Sequence, residues 1–211
     1  SGVDSFDLLA VPLFMIAGSI MEVGGISRRL IDFCDSLVGW APGGLAAAAI
    51  GASMIIAGIS GSAAADTAAI GAVVIPTMIR QGYPPAFAGA VVAAGGAIGI
   101  IIPPSIPMIL FGFMTNISTS QLFAGGMLVG LLMGLTFMLV AILISWRRGY
   151  GERQAFTWKR VVSTGRASLW SMGAPVIVLG GILGGIVTVT EGAALAVFYA
   201  LLVGTVINRE L

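Results

Sequence analysis

Long apolar runs with almost no charge constrain this chain more than any other feature. Delimited by charges, glycine and proline, they lie at 8–23, 42–80, 86–116, 121–146, 169–187 and 191–207. Hydrophobic residues make up 58% of the 211 and charged residues only 9%, against about 25% charged in a soluble domain. A chain of this size and composition cannot cover its surface for water, so it reads as an all-α integral membrane protein. The one cysteine, Cys34, rules out an intrachain disulfide. A net charge of +1 gives no reason to expect a nucleic acid partner.

Segment 26–40 differs from the rest. Leu30, Phe33, Cys34 and Leu37 share one face, while Arg28, Asp32, Asp35 and Ser36 lie on the other. This spacing predicts an amphipathic helix lying in the membrane interface. Arg147, Arg148, Arg153, Lys159, Arg160 and Arg166 crowd a polar stretch at 149–166. The positive-inside rule makes that stretch cytoplasmic. Segment 121–146 then begins outside, segment 86–116 runs outward, and Arg80 lies inside, as do Arg28, Arg29 and Arg209. Segment 42–80 must therefore leave and return on one side, as a re-entrant helical hairpin or a pair of spans.

Polar residues interrupt two of the runs. GISGSAAAD, residues 58–66, places Ser60, Gly61, Ser62 and Asp66 amid alanine, and IIIPPSIPMIL, residues 100–110, contains Pro103, Pro104, Ser105 and Pro107. Broken backbone at membrane depth is tolerated only where protein buries it or water reaches it. The prolines remove N–H donors and leave carbonyls near Gly99 and Ile100 without helical partners. Free carbonyls and the hydroxyls of Ser60, Ser62 and Ser105 suit a small hard cation such as Na⁺. Helices that resume after such breaks point free N–H groups at an anion. Close packing is the ordinary role of small residues in membrane helices, and Ala46–Ala49, Gly89, Gly95, Gly96 and Gly99 fit it. An intramembrane carboxylate such as Asp66 marks function by default and can also cap the following helix. Asn116 fits an outer loop, and Glu191 fits a helix N-terminus at the turn between the last two spans.

Other classes fare less well. Gly58-Ile59-Ser60-Gly61 matches a G-x-S-G serine nucleophile, but the chain has no histidine and its single lysine, Lys159, sits in the polar stretch, so the serine has no base. One cysteine and no histidine give no common transition-metal ligand set, and no phosphate-binding GxxxxGK[ST] is present. The reading is not an enzyme. An ion channel or a non-transporting structural membrane subunit is the alternative.

LLAVPLFMIAGSIMEVGGISRRL, GISGSAAADTAAIGAVVIPTMIRQGYPPAFAGAVVAAGGAIGIIIPPSIPMILFG and GGIVTVTEGAALAVFYALLVGTVINREL resemble, in order, the large membrane (permease) subunit of tripartite ATP-independent periplasmic (TRAP) transporters. The resemblance implies Na⁺-coupled import of organic acids such as C4-dicarboxylates or sialic acid across the bacterial inner membrane. It implies a periplasmic substrate-binding protein and a small membrane subunit as partners, with Na⁺ as coupling ion and no other cofactor. It also implies an elevator mechanism and assigns Ser60, Gly61, Ser62, Pro103, Pro104 and Ser105 to the ion and substrate region of a first repeat. Such subunits are about twice as long and carry an inverted second half, so the chain is expected to be a first-repeat fragment clipped at both ends and unable to transport alone. The expected layout is scaffold helix plus arm helix at 1–40, and a transport region at 41–116 with hairpin 42–80 and broken helix 86–116. A span at 117–148, a basic loop at 149–168 and two scaffold spans at 169–211 follow.

Overall fold

In the computed structural model, residues 6–152 and 155–208 are described, apart from the side chains of 6, 7, 27 and 208. The described chain is helical, with no strand. A 3₁₀ turn, Phe6–Leu9, leads into α1 (Ala10–Val23), α2 (Ile26–Val38), α3 (Gly44–Ser60), α4 (Ala63–Arg80) and α5 (Pro85–Ile98). Then come α6 (Ile106–Thr115), α7 (Thr119–Arg148), α8 (Trp158–Leu183) and α9 (Val189–Leu202), which ends in a wide π turn, Val203–Asn208. Among the described residues, four helical stretches are long and apolar enough to cross a membrane: Ala63–Arg80, Thr119–Arg148, Trp158–Leu183 and Val189–Ile207. This is a multi-pass membrane architecture.

α3 and α4 form a hairpin. Leu45 at the start of α3 lines the same cleft as Arg80 and Gln81 at the end of α4. The chain therefore returns to the end it left. At 1.5 Å per residue, the 17 residues of α3 carry the tip about 25 Å from that end. α3 is buried along most of its length, with Ala46, Ala47, Ala48 and Ala52 fully enclosed. Alanine lets α2, α5 and α7 approach this central helix closely.

The break after α5 is wider than expected. Helix ends at Ile98 and resumes at Ile106, whereas the sequence placed the interruption near 103–107. Pro103 has no N–H to offer the carbonyl of Gly99 and disfavours helix at Ile102. The N–H groups of Ile101 and Ile102 both turn back to the carbonyl of Ile98, which closes α5 early. Pro107 lies in the first turn of α6, where its missing donor costs nothing, so it belongs to the helix rather than to the break.

Two further expectations are corrected. The polar stretch 149–168 is not a loop throughout, because α8 starts at Trp158 and takes in Lys159, Arg160 and Arg166. The reason lies on α2, whose polar face is only half in water. Asp35 and Ser36 are buried, while Leu37, assigned to the apolar face, is 41% exposed. α8 covers the Asp35–Ser36 side of that face, with residues one turn apart meeting α2. Arg160 Nη2 donates to Asp35 Oδ2 at 2.7 Å, Thr164 Oγ1 to Ser36 Oγ at 2.9 Å, and Ser168 Oγ to the Arg29 carbonyl at 3.0 Å. α2 is therefore packed against α8 along the Asp35–Ser36 side of its polar face, while Arg28 and Asp32 stay exposed.

A second clasp joins the α4–α5 corner to the end of α7. Tyr83 stacks on Phe87 with ring centroids 6.1 Å apart, and Phe87 meets Tyr150 at 5.5 Å. Burial pushes the Tyr83 phenol up to about 12, so it stays neutral at physiological pH. The clasp and the Asp35–Arg160 pair bring Arg28, Arg80, Arg147, Arg148 and Arg160 toward one end of the bundle. Arg153 and Arg209 lie outside the described residues. Beyond the opposite end of α8, Thr188 and Glu191 form a reciprocal cap. Thr188 Oγ1 accepts from the Glu191 N–H and Glu191 Oε2 from the Thr188 N–H, so Thr188 is the cap and Glu191 its partner.

Removing one side of the α2–α8 pair leaves a charge behind. Arg160→Met strands the buried Asp35 and is expected to destabilise the fold by about 1–3 kcal/mol, discounted because the guanidinium is 38% exposed. Asp35→Asn added to Arg160→Met should recover part of that loss. Thermal unfolding in detergent, followed by tryptophan fluorescence, reads both effects.

Candidate functional site

The hairpin tip and the proline break meet. α3 ends at Ser60, Gly61 turns through φ +62°, Ser62 is extended, and α4 begins at Ala63. The Ile106 N–H, freed at the start of α6, donates to the Gly61 carbonyl at 3.5 Å. A Cβ on Gly61 would stand 2.6 Å from the Pro104 carbonyl oxygen, so only glycine allows this approach in this backbone conformation. Two interruptions about forty residues apart thus form one junction.

Asp66 ties the tip together. Ser60 Oγ donates to Asp66 Oδ1 at 2.5 Å and accepts from the Ser62 N–H at 3.1 Å. Asp66 is 2% exposed. Its Oδ2 is buried without a hydrogen-bond partner and lies beside Gly99, 2.9 Å from where a Cβ there would sit. Gly99 therefore serves as the small residue that admits the carboxylate. Ser62 Oγ accepts a long 3.5 Å bond from the Ala65 N–H and caps α4.

The structure brings Ser60, Gly61, Ser62, Asp66, Gly99 and Pro104 into this one junction. The Pro103 carbonyl faces Gly58 one turn before the tip. Ser105 is different. It is fully buried, and its hydroxyl donates to the Ile100 carbonyl at 2.7 Å. That carbonyl, expected to be free for a cation, is occupied by a side chain from its own segment, as broken backbone in a bundle requires.

One wall of the site was not legible in the sequence. A small cleft, about 80 Å³, opens beside the tip, where Ser60, Ser62 and Asp66 face Gly18, Ser19 and Glu22 of α1. Glu22 brings a second carboxylate to it. The signal was present, since Glu22 is an acidic residue closing an otherwise apolar helix, but its meeting with residues 60–66 is tertiary. The donors at the junction are carboxylate, hydroxyl and carbonyl oxygens, a hard-ligand set that suits Na⁺ better than a soft metal.

Comparison with known proteins bears on this geometry. The family model for the DctM component of tripartite ATP-independent periplasmic transporters matches residues 1–211. The chain belongs to that family. It is 46% identical over 212 residues to an isethionate TRAP transporter permease protein of Oleidesulfovibrio alaskensis, covering all of this chain and 33% of that protein. It is 44% identical to the 2,3-diketo-L-gulonate TRAP transporter large permease protein of Escherichia coli, covering all of this chain and 50% of that one. It is 41% identical to the C4-dicarboxylate TRAP transporter large permease protein of Vibrio cholerae, over 98% of this chain and 46% of that one. The chain thus spans between a third and a half of the length of these relatives. In this DctM family chain the junction lies within the matched region.

The junction's packing is directly testable. Gly61→Ala places a Cβ against the Pro104 carbonyl at positive φ and is expected to destabilise the protein by more than about 1 kcal/mol. Gly99→Ala drives a methyl toward Asp66 Oδ2 and should act in the same direction. Melting temperatures of the purified variants check both, and unchanged values would mean that the two breaks are not in contact.

Proposed function

We propose that this chain is the first-repeat part of a TRAP-type permease that imports small organic acids in symport with Na⁺. The reading takes C4-dicarboxylates or sialic acid as representative substrates, delivered by a periplasmic substrate-binding protein. A small membrane subunit completes the assembly in the bacterial inner membrane, with the arginine-rich end in the cytoplasm. The family membership supports the transporter class. The single observation that carries the site is the junction of two helix breaks, where Gly61 meets Ile106 and Asp66 keeps one oxygen unpartnered. Unwound backbone at such a junction offers carbonyl and carboxylate oxygens to a cation, and adjacent helix N-termini offer N–H groups to an anion.

In this proposal Asp66, Ser60 and Ser62 hold Na⁺ at the tip, and Ser105 acts on the other break. Gly61, Gly99, Pro103 and Pro104 set the backbone. The hairpin and broken helix move as a block against α1, α8 and α9, as an elevator. The junction lines one side of a binding region, so the 211-residue polypeptide alone does not transport.

Ser60→Ala and Ser105→Ala, made in the complete permease reconstituted with its partner components, should raise the Na⁺ concentration for half-maximal uptake. The expected shift is about fivefold, equivalent to roughly 1 kcal/mol, through lost ligation at Ser60 and through loss of the Ser105–Ile100 bond that shapes the other break. Radiolabelled uptake into proteoliposomes over a Na⁺ series measures this, and unchanged Na⁺ dependence in both variants would return these serines to packing. Counterflow in the same vesicles should be present, since a channel shows none.

A further inference from the structure

A second cleft lies beyond the one at the hairpin tip, along the same helix. The α4 wall of the tip cleft is Ser62, Ala65, Asp66 and Ala69. The second cleft, of about 500 Å³, takes up α4 at Ala72, Val73, Pro76, Thr77 and Arg80. These positions recur every three or four residues and form one face of α4 from its first turn to its last. The opposite wall passes from Glu22 and Ile26 in the first cleft to Arg28, Ile31 and Asp32 in the second. The two clefts, which share no lining residue, lie in line along this face of α4 from the junction to the arginine-rich end of the bundle, between the α1–α2 wall and the outer arm of the hairpin.

Charge is graded along this face. The deep end carries the carboxylates of Glu22 and Asp66. The mouth carries three guanidiniums, those of Arg28, Arg80 and Arg160, with Asp32 and Asp35. Arg160 is committed to Asp35 at 2.7 Å. Arg80 Nη2 donates to Thr77 Oγ1 at 3.0 Å, which holds its charge against the cleft wall. An anion leaving the junction moves from carboxylates toward guanidiniums about 20 Å away along α4, so the exposed Arg28 and Arg80 are screened at the junction and act near the mouth.

We propose that this face of α4 is the release route for an organic anion from the junction to the cytoplasm, with Arg28 and Arg80 as the charges that draw it to the mouth. The proposal rests on the anion-transport reading above, but its test does not need transport to occur, so the two can fail separately. Arg28 and Arg80 are positioning residues on the path and touch nothing at the junction.

The test uses the complete permease in inside-out membrane vesicles, with Ala69→Cys at the deep end or Val73→Cys nearer the mouth. Native Cys34 is buried, and labelling of the parent protein sets the baseline. The probes are 2-sulfonatoethyl methanethiosulfonate, an anion, and 2-(trimethylammonium)ethyl methanethiosulfonate, a cation, each with its rate normalised to a free thiol. Both introduced thiols should react from the cytoplasmic face. The anion-to-cation rate ratio should exceed one at Val73→Cys and be lower at Ala69→Cys. Arg28→Gln or Arg80→Gln should each reduce the ratio at Val73→Cys by about threefold, the effect of one charge at intermediate dielectric, and Arg80→Lys should restore it. Failure of Ala69→Cys to react from this face, despite reacting in detergent, would overturn the route. A ratio indifferent to both arginine substitutions would overturn the steering. If Val73→Cys is shielded in native vesicles but reacts in proteoliposomes lacking anionic phospholipid, the arginines hold lipid headgroups and the proposal fails.

Discussion

The hydrogen bond from the Ile106 N–H to the Gly61 carbonyl marks the constraint on which the rest of the structure depends. A helix that stops in the middle of a bilayer leaves polar backbone with no water to bind. Here two such stops are set against each other. The first donor of α6 finds the last turn of the hairpin tip, Ser105 returns its proton to Ile100, and Ser60 spends its proton on Asp66. The unwinding of each segment is tolerable because the other is unwound beside it. Glycine at 61 and 99 is the steric condition for that contact.

Around this junction the helices divide by what they offer it. α3 is almost wholly enclosed and lined by alanine, so it brings α2, α5 and α7 close and supplies polar chemistry to the junction through its last residue, Ser60. α4 has one buried face, with Ile70 and Met78, and one open face that lines the two clefts. α2 meets the same problem differently. Its polar face is met by hydroxyls and a guanidinium from α8, so polarity is settled by side chains there and by main chain at the junction. Each leaves one carboxylate oxygen uncommitted, Oδ1 of Asp35 and Oδ2 of Asp66, but Asp35 is paired with a guanidinium and Asp66 only with a hydroxyl.

Much of this was legible from local chemistry. Apolar runs mark the membrane helices, and the two interruptions announce themselves because glycine, serine and proline clusters have few other reasons to sit in such runs. Ser60, Gly61, Ser62 and Asp66 could be picked out residue by residue. What escaped was anything decided by a distant neighbour. The amphipathic pattern of 26–40 is real, but a pattern of faces does not say what lies over the polar one, and the first turns of α8, 158–168, lay in a stretch that its charges made look like a loop. Glu22 belongs to the site only because α1 passes the hairpin tip. The early end of α5 follows from Pro103 acting backward on Gly99 and Ile102, a reach that a count of prolines understates.

The aromatic stack of Tyr83, Phe87 and Tyr150 fastens the α4–α5 corner to the tail of α7. Close-packed rings pass displacement on rather than absorb it. A shift of that corner relative to α8 therefore hauls the end of α7 along, and the thirty-residue helix becomes a lever whose far end stands at Thr119. Movement at one surface of the bilayer would be felt at the other through a rod that packs, at Gly126 and Gly130, against Ile101 and Ile102 of the break.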